Sequence, residues 1–299
     1  MFIRVLLFIG TNLAVIALLT FVMRLFGIEP YLTANGLNLT SLMIFSAILG
    51  FSGAFISLLM SKFIAKMSYG VQIINQPRSE QEQFLYSIVS QLSDRLEIKM
   101  PEVGIYHSPE PNAFATGASR NSSLVAVSSG LLDTMTRDEV EGVLGHEMAH
   151  VANGDMVTMT LLQGVLNTFV IFFARIAAYA VTNAMRGQNS RDEGESTSSF
   201  AYYGIAFVFE ILFGILASMI VMAFSRHREF KADAHAAQTV GAHKMVAALQ
   251  KLMQMQNRAI DPRGKALSTM KISGGQSKLM ALFSSHPPLT SRIEALQNS

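Results

Sequence analysis

The chain has 299 residues, half of them hydrophobic and 15% charged, and a formal net charge of +2. So apolar a balance excludes an ordinary soluble protein and points to a membrane one, while the small net charge and the lack of a basic aromatic patch exclude nucleic acid as a partner. Cysteine is absent, which removes disulfides and thiolate ligands and leaves histidine and carboxylate as the only material for a metal site.

In chain order, the apolar run over 5–23 is long enough to cross a bilayer. It is too long for the apolar region of a secretory leader and lacks a small-x-small cleavage site. A second span over 42–60 ends at Lys62 and Lys66, whereas the short connection before it carries no Lys or Arg. The concentration of positive charge after the second span places that side, and with it the N-terminus, in the cytoplasm. Gly50, Ser52, Gly53 and Ser57 supply small residues for close helix packing. Residues 1–68 thus read as a membrane hairpin.

Residues 69–155 are of soluble type and form the first part of a catalytic domain. Pro77 is expected to open a helix with Phe84, Leu85, Ile88, Val89, Leu92 and Leu96 on one face. Short strands are expected over 103–106, 113–116 and 124–128, separated by Pro, Gly, Asn and Ser. An exposed strand edge there can bind an extended peptide backbone by strand addition, with Asn112, Ala113 and Phe114 as the candidate substrate-binding residues.

The helix that follows carries His146-Glu147-Met148-Ala149-His150. Histidines four apart lie on one helix face and can reach one metal ion, the H-E-x-x-H arrangement of zinc peptidases, with Glu147 placed to act on water rather than to ligate. Thr136 and Glu139 read as a capping box, Val140, Val143, Leu144 and Val151 as an apolar stripe, and Asn153-Gly154 as the stop.

Residues 156–224 hold two further apolar runs, over 156–182 and 202–224, around a polar segment over 183–201. They read as a second membrane hairpin, for about four spans in all. Each run contains one charge, Arg175 and Glu210, at similar depth from the turn; they either pair or snorkel separately to an interface. Residues 225–299 are soluble again, with a helix around 245–253, a Gly/Lys/Ser-rich loop over 259–278, and a short helix after His286-Pro287-Pro288 with Thr290 as its N-cap.

Catalytic zinc takes three protein ligands plus water, so a third is needed. The chain lacks the H-x-x-G-x-x-H extension of the metzincins. Glu229 is the best candidate, and Asp233, four residues on and on the same helix face, can orient a ligand histidine. His227, His235 and His243 are competing ligands; His227 points off that face, and the other two have no partner motif. His286 could reach the site to stabilise a tetrahedral oxyanion, or serve only to pack its turn. Two crossings between His150 and Glu229 return the chain to the side it left, so these residues can meet.

Several segments together resemble the HtpX family of membrane-bound zinc proteases, relatives of the type I CAAX prenyl proteases. They are Thr11-Asn12-Leu13-Ala14-Val15, Leu58-Leu59-Met60-Ser61-Lys62, Asn112-Ala113-Phe114-Ala115-Thr116-Gly117, His146 through Asp155, Phe224 through Phe230, and Ser285-His286-Pro287-Pro288-Leu289. The resemblance implies a mainly α-helical integral membrane protein with a zincin-type (gluzincin) catalytic domain, one zinc ion on His146, His150 and Glu229, Glu147 as the catalytic carboxylate, and Asp233 in the glutamate-containing motif. It also implies a bacterial inner-membrane enzyme, its catalytic domain facing the cytoplasm, that degrades unfolded or misassembled membrane proteins. The third and fourth runs either cross the bilayer or wall a chamber above the active site. The competing readings are a four-span scaffold with structural zinc, which would not need Glu147, and a transporter, which the lack of repeats and broken helices disfavours. No sequence feature specifies an oligomeric state.

Overall fold

A computed structural model describes residues 38–188, 195–258 and 284–298. The span expected over 5–23 and the loop expected over 259–278 lie outside them, as does part of the polar segment over 183–201. The described residues fall into two compact units: those up to Ser57 with Met159–Val221, and Leu58–Thr158 with Met222 onward. All three divisions fall inside long helices, α1 (Leu39–Tyr69), α5 (Asp155–Gln188) and α6 (Glu195–Val240).

The unit that begins at Leu58 contains the sheet. Strands β1 (Gln72–Ile73), β2 (Glu102–Tyr106), β3 (Ala113–Ser119) and β4 (Ser122–Ser128) lie in the order β1-β2-β4-β3. β2 and β4 are parallel, and β3 runs antiparallel to β4 with an irregularity between Gly117 and Ser119. β4 is central and buried on both faces from Leu124 to Val127, as its unbroken apolar run requires. β3 is an edge.

Helix α2 (Glu80–Arg95) starts three residues later than Pro77 suggests. Ser79 sets the start: its Oγ accepts the Glu82 N–H at 3.1 Å, and the Glu82 carboxylate accepts the Ser79 N–H at 3.2 Å. A short α3 (Ser129–Thr134) leads to α4 (Arg137–Asn153), which carries the H-E-x-x-H stretch. The expected capping box is present, with the Thr136 N–H donating to Glu139 at 2.7 Å, and Gly154 closes the helix at φ 68°, a left-handed conformation that suits glycine.

Leu85, Val89 and Leu92 of α2, Val125 and Val127 of β4, and Leu144, Met148 and Val151 of α4 form one core. Full burial of such side chains contributes about 1.5–3 kcal/mol each. It fixes the face α4 presents to the sheet. On its other side α4 meets α7 (Ala242–Arg258) so closely that a Cβ on Gly142 would lie 2.5 Å from the Lys244 carbonyl oxygen. Lys244 in turn donates to Glu141 at 2.7 Å and pairs with Asp138 at 3.1 Å.

Met245 and Leu249 of α7 pack with Ile293 and Leu296 of α8 (Leu289–Gln297). α8 begins one residue earlier than its expected cap. Pro288 occupies the N-cap position with no side-chain cap, so Thr290 falls inside the first turn. Proline's fixed φ suits the entry to a helix, but its side chain offers no acceptor to the N–H groups of the first turn.

In the other unit, Leu42, Phe45 and Leu49 of α1 pack on Ile171, Phe172 and Ile176 of α5. Gly50 lets the two helices approach, since a Cβ there would lie 2.6 Å from the Thr168 nitrogen. Arg175 and Glu210 come to 3.6 Å, and the guanidinium also stacks over the Phe45 and Tyr203 rings. Among the described residues, Ser41–Tyr69, Asp155–Met185 and Phe200–Val240 are long and apolar enough to cross a membrane. The fourth apolar run does not end in a loop: no breaker lies between Phe224 and Val240, and α6 continues unbroken to Val240.

Candidate metal centre

All the residues of the centre belong to the unit that carries the sheet. His146, Glu147 and His150 come from α4, Glu229 and Asp233 from α6, Arg292 from α8, and His286 from the turn before it. One ligand atom from each of His146, His150 and Glu229 lies within 4.8 Å of the others. The imidazole planes stand at 85°, with Nε2 to Nε2 at 3.2 Å. Glu229 Oε2 is 3.4 Å from His146 Nε2, and Oε1 is 3.3 Å from His150 Nε2.

The outer nitrogen of each ring is engaged by a carboxylate. His146 Nδ1 meets Asp233 Oδ1 at 2.9 Å, and His150 Nδ1 meets Asp155 Oδ2 at 2.6 Å. A carboxylate can only accept, so each Nδ1 carries a hydrogen and each Nε2 keeps its lone pair, turned towards the shared point. Two lone pairs 3.2 Å apart repel unless a proton or a cation lies between them. Glu229 Oε2 faces the same point. His286 Nδ1 at 2.8 Å and Arg292 Nη1 at 3.3 Å approach it, yet no aligned hydrogen bond satisfies this buried oxygen. Two imidazole lone pairs and one carboxylate oxygen around a common point form a donor set that fits a tetrahedral metal with an open position.

Each orienting carboxylate has an arginine behind it. Asp233 accepts two hydrogen bonds from Arg292, at 2.6 and 2.7 Å, and Asp155 meets Arg228 Nη2 at 3.0 Å. In the metal-free chain, burial alone would lower the His150 imidazole, but Asp155 and Glu229 outweigh it and hold the group up at about 9. His146 is likewise raised, with burial opposed by Asp233 and Glu229.

Beside the cluster opens a cavity of about 660 Å³. His146, Glu147, Glu229 and His286 stand on its wall, with Asn112 and Ala113 at the start of β3 and an apolar side from α7 that includes Met245 and Leu252. Glu147 is half-buried and reaches this space, not the core. The Phe114 side chain does not line the cavity; its ring packs on Tyr69 and Tyr106, because neighbouring strand residues point to opposite faces.

Of the competing histidines, His227 is exposed, and His235 Nδ1 lies 3.0 Å from Asn153 Oδ1. Neither they nor His243 join the cluster among the described residues. Asp155, Arg228 and Arg292 were not identified from the sequence. The available signals were weak: a carboxylate just past the α4 stop, a basic run before Glu229, and an arginine next to Ile293 in α8.

The sequence pattern described as Peptidase family M48 matches residues 79–299. Protease HtpX of Tolumonas auensis is 52% identical over 294 residues, which is 98% of this chain and 98% of that protein. Protease HtpX of Aeromonas hydrophila is 54% identical over 294 residues, 98% of this chain and 99% of that protein. Among solved structures, that of S. mikatae Ste24p matches with a TM-score of 0.65 at 17% identity, covering 95% of this chain and 62% of that one. At that identity the likeness carries the fold alone.

Proposed function

Because this chain belongs to peptidase family M48 and is a membrane metalloprotease, we propose that it is a zinc-dependent endopeptidase whose metal ligands are His146, His150 and Glu229. The observation that carries this reading is the pair of imidazoles with both Nδ1 atoms engaged by carboxylates and both Nε2 atoms turned to one point with Glu229. Histidine and carboxylate without thiolate, in a three-ligand set open to a cavity, suit catalytic zinc rather than a closed structural site.

Zinc held by His146, His150 and Glu229 would lower the pKa of a water towards neutrality and polarise the scissile carbonyl. Glu147 takes the proton from the attacking water and passes it to the leaving amine. Asp233 and Asp155 keep the imidazoles in one tautomer and orientation. His286, 64% exposed and 2.8 Å from Glu229, is free to turn to the developing oxyanion. Asn112 and the Ala113–Phe114 backbone at the edge of the sheet hold the substrate as an added strand, with the Phe114 ring as an anchor beneath it.

The chain is a multi-pass membrane protein; we place it in the bacterial inner membrane with four spans as two hairpins and its catalytic residues and termini in the cytoplasm. The lysines after the second span support that orientation. Its substrates on this reading are damaged or misassembled membrane proteins.

The test begins with protein purified in detergent and chelator. Zinc is then added, and cleavage of an unfolded protein is followed beside Glu147→Gln. The expected result is one zinc bound by both forms and a rate at least about 10²-fold lower in the variant. Zinc binding by both with equal rates, or with no cleavage by either, leaves a structural metal as the better account.

A further inference from the structure

In the unit that carries the sheet, the large apolar side chains left exposed among the described residues are Leu59, Phe63 and Met67, at 70%, 59% and 66%, and Phe224 at 36%. The first three are spaced by four and form one stripe along α1. The apolar run read from the sequence ends at Met60, with Lys62 and Lys66 after it, whereas the helix stays apolar enough to span from Ser41 to Tyr69. The stripe continues to Met67, about 10 Å past Met60 at helical rise.

Lys62 and Lys66 do not interrupt it. Both ammonium groups turn off the stripe onto one carboxylate, Glu102 at the start of β2, at 2.7 and 2.5 Å. Paired charges are far less costly near lipid than bare ones. Three large apolar side chains in water would instead be an unusual exposed patch. The stripe continues a membrane span, Glu102 offsets one of the two flanking positive charges and draws both ammonium groups away from the stripe, and acyl chains are the medium that matches it.

Two residues past Met67, the Tyr69 ring meets Tyr106 at 5.0 Å and Phe114 at 4.8 Å between centroids. Amphipathic aromatic rings favour the boundary between lipid and water. Phe114 belongs to β3, the edge strand, and the adjoining Ala113 and Asn112 line the cavity that contains Glu147. One aromatic cluster therefore joins the end of the lipid-matched stripe to the proposed substrate strand.

We propose that the Leu59–Phe63–Met67 face of α1 lies in the acyl-chain region of the bilayer and seats the β3 edge at the membrane surface, so that the substrates are extended segments directly adjoining a membrane span. The lipid contact stands by itself; the substrate class rests on the peptidase reading above.

The absence of cysteine permits single-site labelling without background. Phe63→Cys, Met67→Cys and, as an aqueous control, Gln81→Cys would carry nitroxide labels in vesicles of phosphatidylethanolamine and phosphatidylglycerol. At 63 and 67 the labels should be relaxed by oxygen and shielded from a water-soluble nickel chelate, with the reverse at 81. Nickel access at 67 overturns the proposal. So does shielding from both reagents, which would mean a protein partner on the stripe.

The substrate class is tested with Met67→Lys and two peptides of one sequence, one free and one fused within five residues of a membrane span. The variant should cleave the fused peptide roughly tenfold more slowly, through loss of effective concentration, and the free one at the parental rate. Equal effects on both peptides, or none on either, overturn the substrate class. A parent that cleaves neither defeats the peptidase reading and the substrate class with it, while the label accessibilities still decide the lipid contact.

Discussion

The two histidines of the centre are supported from opposite sides by the same kind of relay, built to different tightness. Behind His146, Asp233 is gripped by two hydrogen bonds from Arg292, and their side chains are only 2% and 6% exposed. Behind His150, Asp155 meets Arg228 through one nitrogen at 3.0 Å, and the buried Arg228 Nε has no hydrogen-bond partner. A bidentate guanidinium fixes both angle and distance of a carboxylate, whereas a single contact fixes only distance. The relay behind His146 therefore fixes the bearing of its imidazole more tightly than the relay behind His150 does, while both carboxylates favour the protonated ring.

The largest effect should come from Arg292→Ala. It strands the buried Asp233 carboxylate, and breaking such a pair costs about 3–5 kcal/mol. Denaturation of the metal-free protein should show most of that loss, and Arg292→Lys should recover only part of it because an ammonium cannot grip both oxygens. A loss no larger than that of Arg228→Ala would erase the proposed asymmetry.

Next is Asp155→Asn, which keeps the shape but removes the charge behind His150. Zinc affinity should fall about 10–100-fold, and the metal-free protein should lose stability at neutral pH because His150 loses a carboxylate partner. Competitive titration against a chelator checks it. Arg228→Ala should weaken zinc binding less than Asp155→Asn, since the carboxylate on His150 remains.

The pH dependence bears on the relay behind His150. With His150 held at about 9 in the metal-free chain, zinc must displace a proton at lower pH. Apparent affinity should therefore rise with pH up to about 9, by as much as tenfold per unit for that proton. The sign for metal-free stability is the opposite. A histidine raised above its unfolded value of about 6.5 stabilises the fold fully below that pH, and the contribution is lost as pH rises through about 9. Asp155→Asn should shift both curves to lower pH; curves unchanged by it would assign the raised value to Glu229 instead.

The legible parts of this molecule were local ones. The α4 cap, the i,i+4 histidines, Gly154 as terminator and the Glu229–Asp233 pair each depend on residues within one or two helical turns. The Arg175–Glu210 contact was also within reach, because two charges at equal depth in apolar runs have few alternative partners. Arg292 was not, since it meets Asp233 across 59 residues and His146 across 146, and nothing in the sequence near it specifies that meeting. The starts of α2 and α8 were misplaced for a smaller reason. At α2 the Ser79–Glu82 capping box, not Pro77, sets the start, whereas at α8 the helix begins directly after Pro288 without a side-chain cap and takes Thr290 into its first turn.

One consequence of the Arg292 grip concerns biosynthesis. In sequence order Arg292 follows every other member of the centre. As the chain leaves the ribosome, His146, Glu147, His150, Glu229 and Asp233 all emerge before the guanidinium that neutralises Asp233 exists. Until α8 docks, that carboxylate lacks its counterion, and the imidazole it orients has no fixed bearing. The last part of the centre to be made is the part that locks it, so a nascent chain carries the proposed metal ligands before it carries the guanidinium that fixes Asp233 behind one of them.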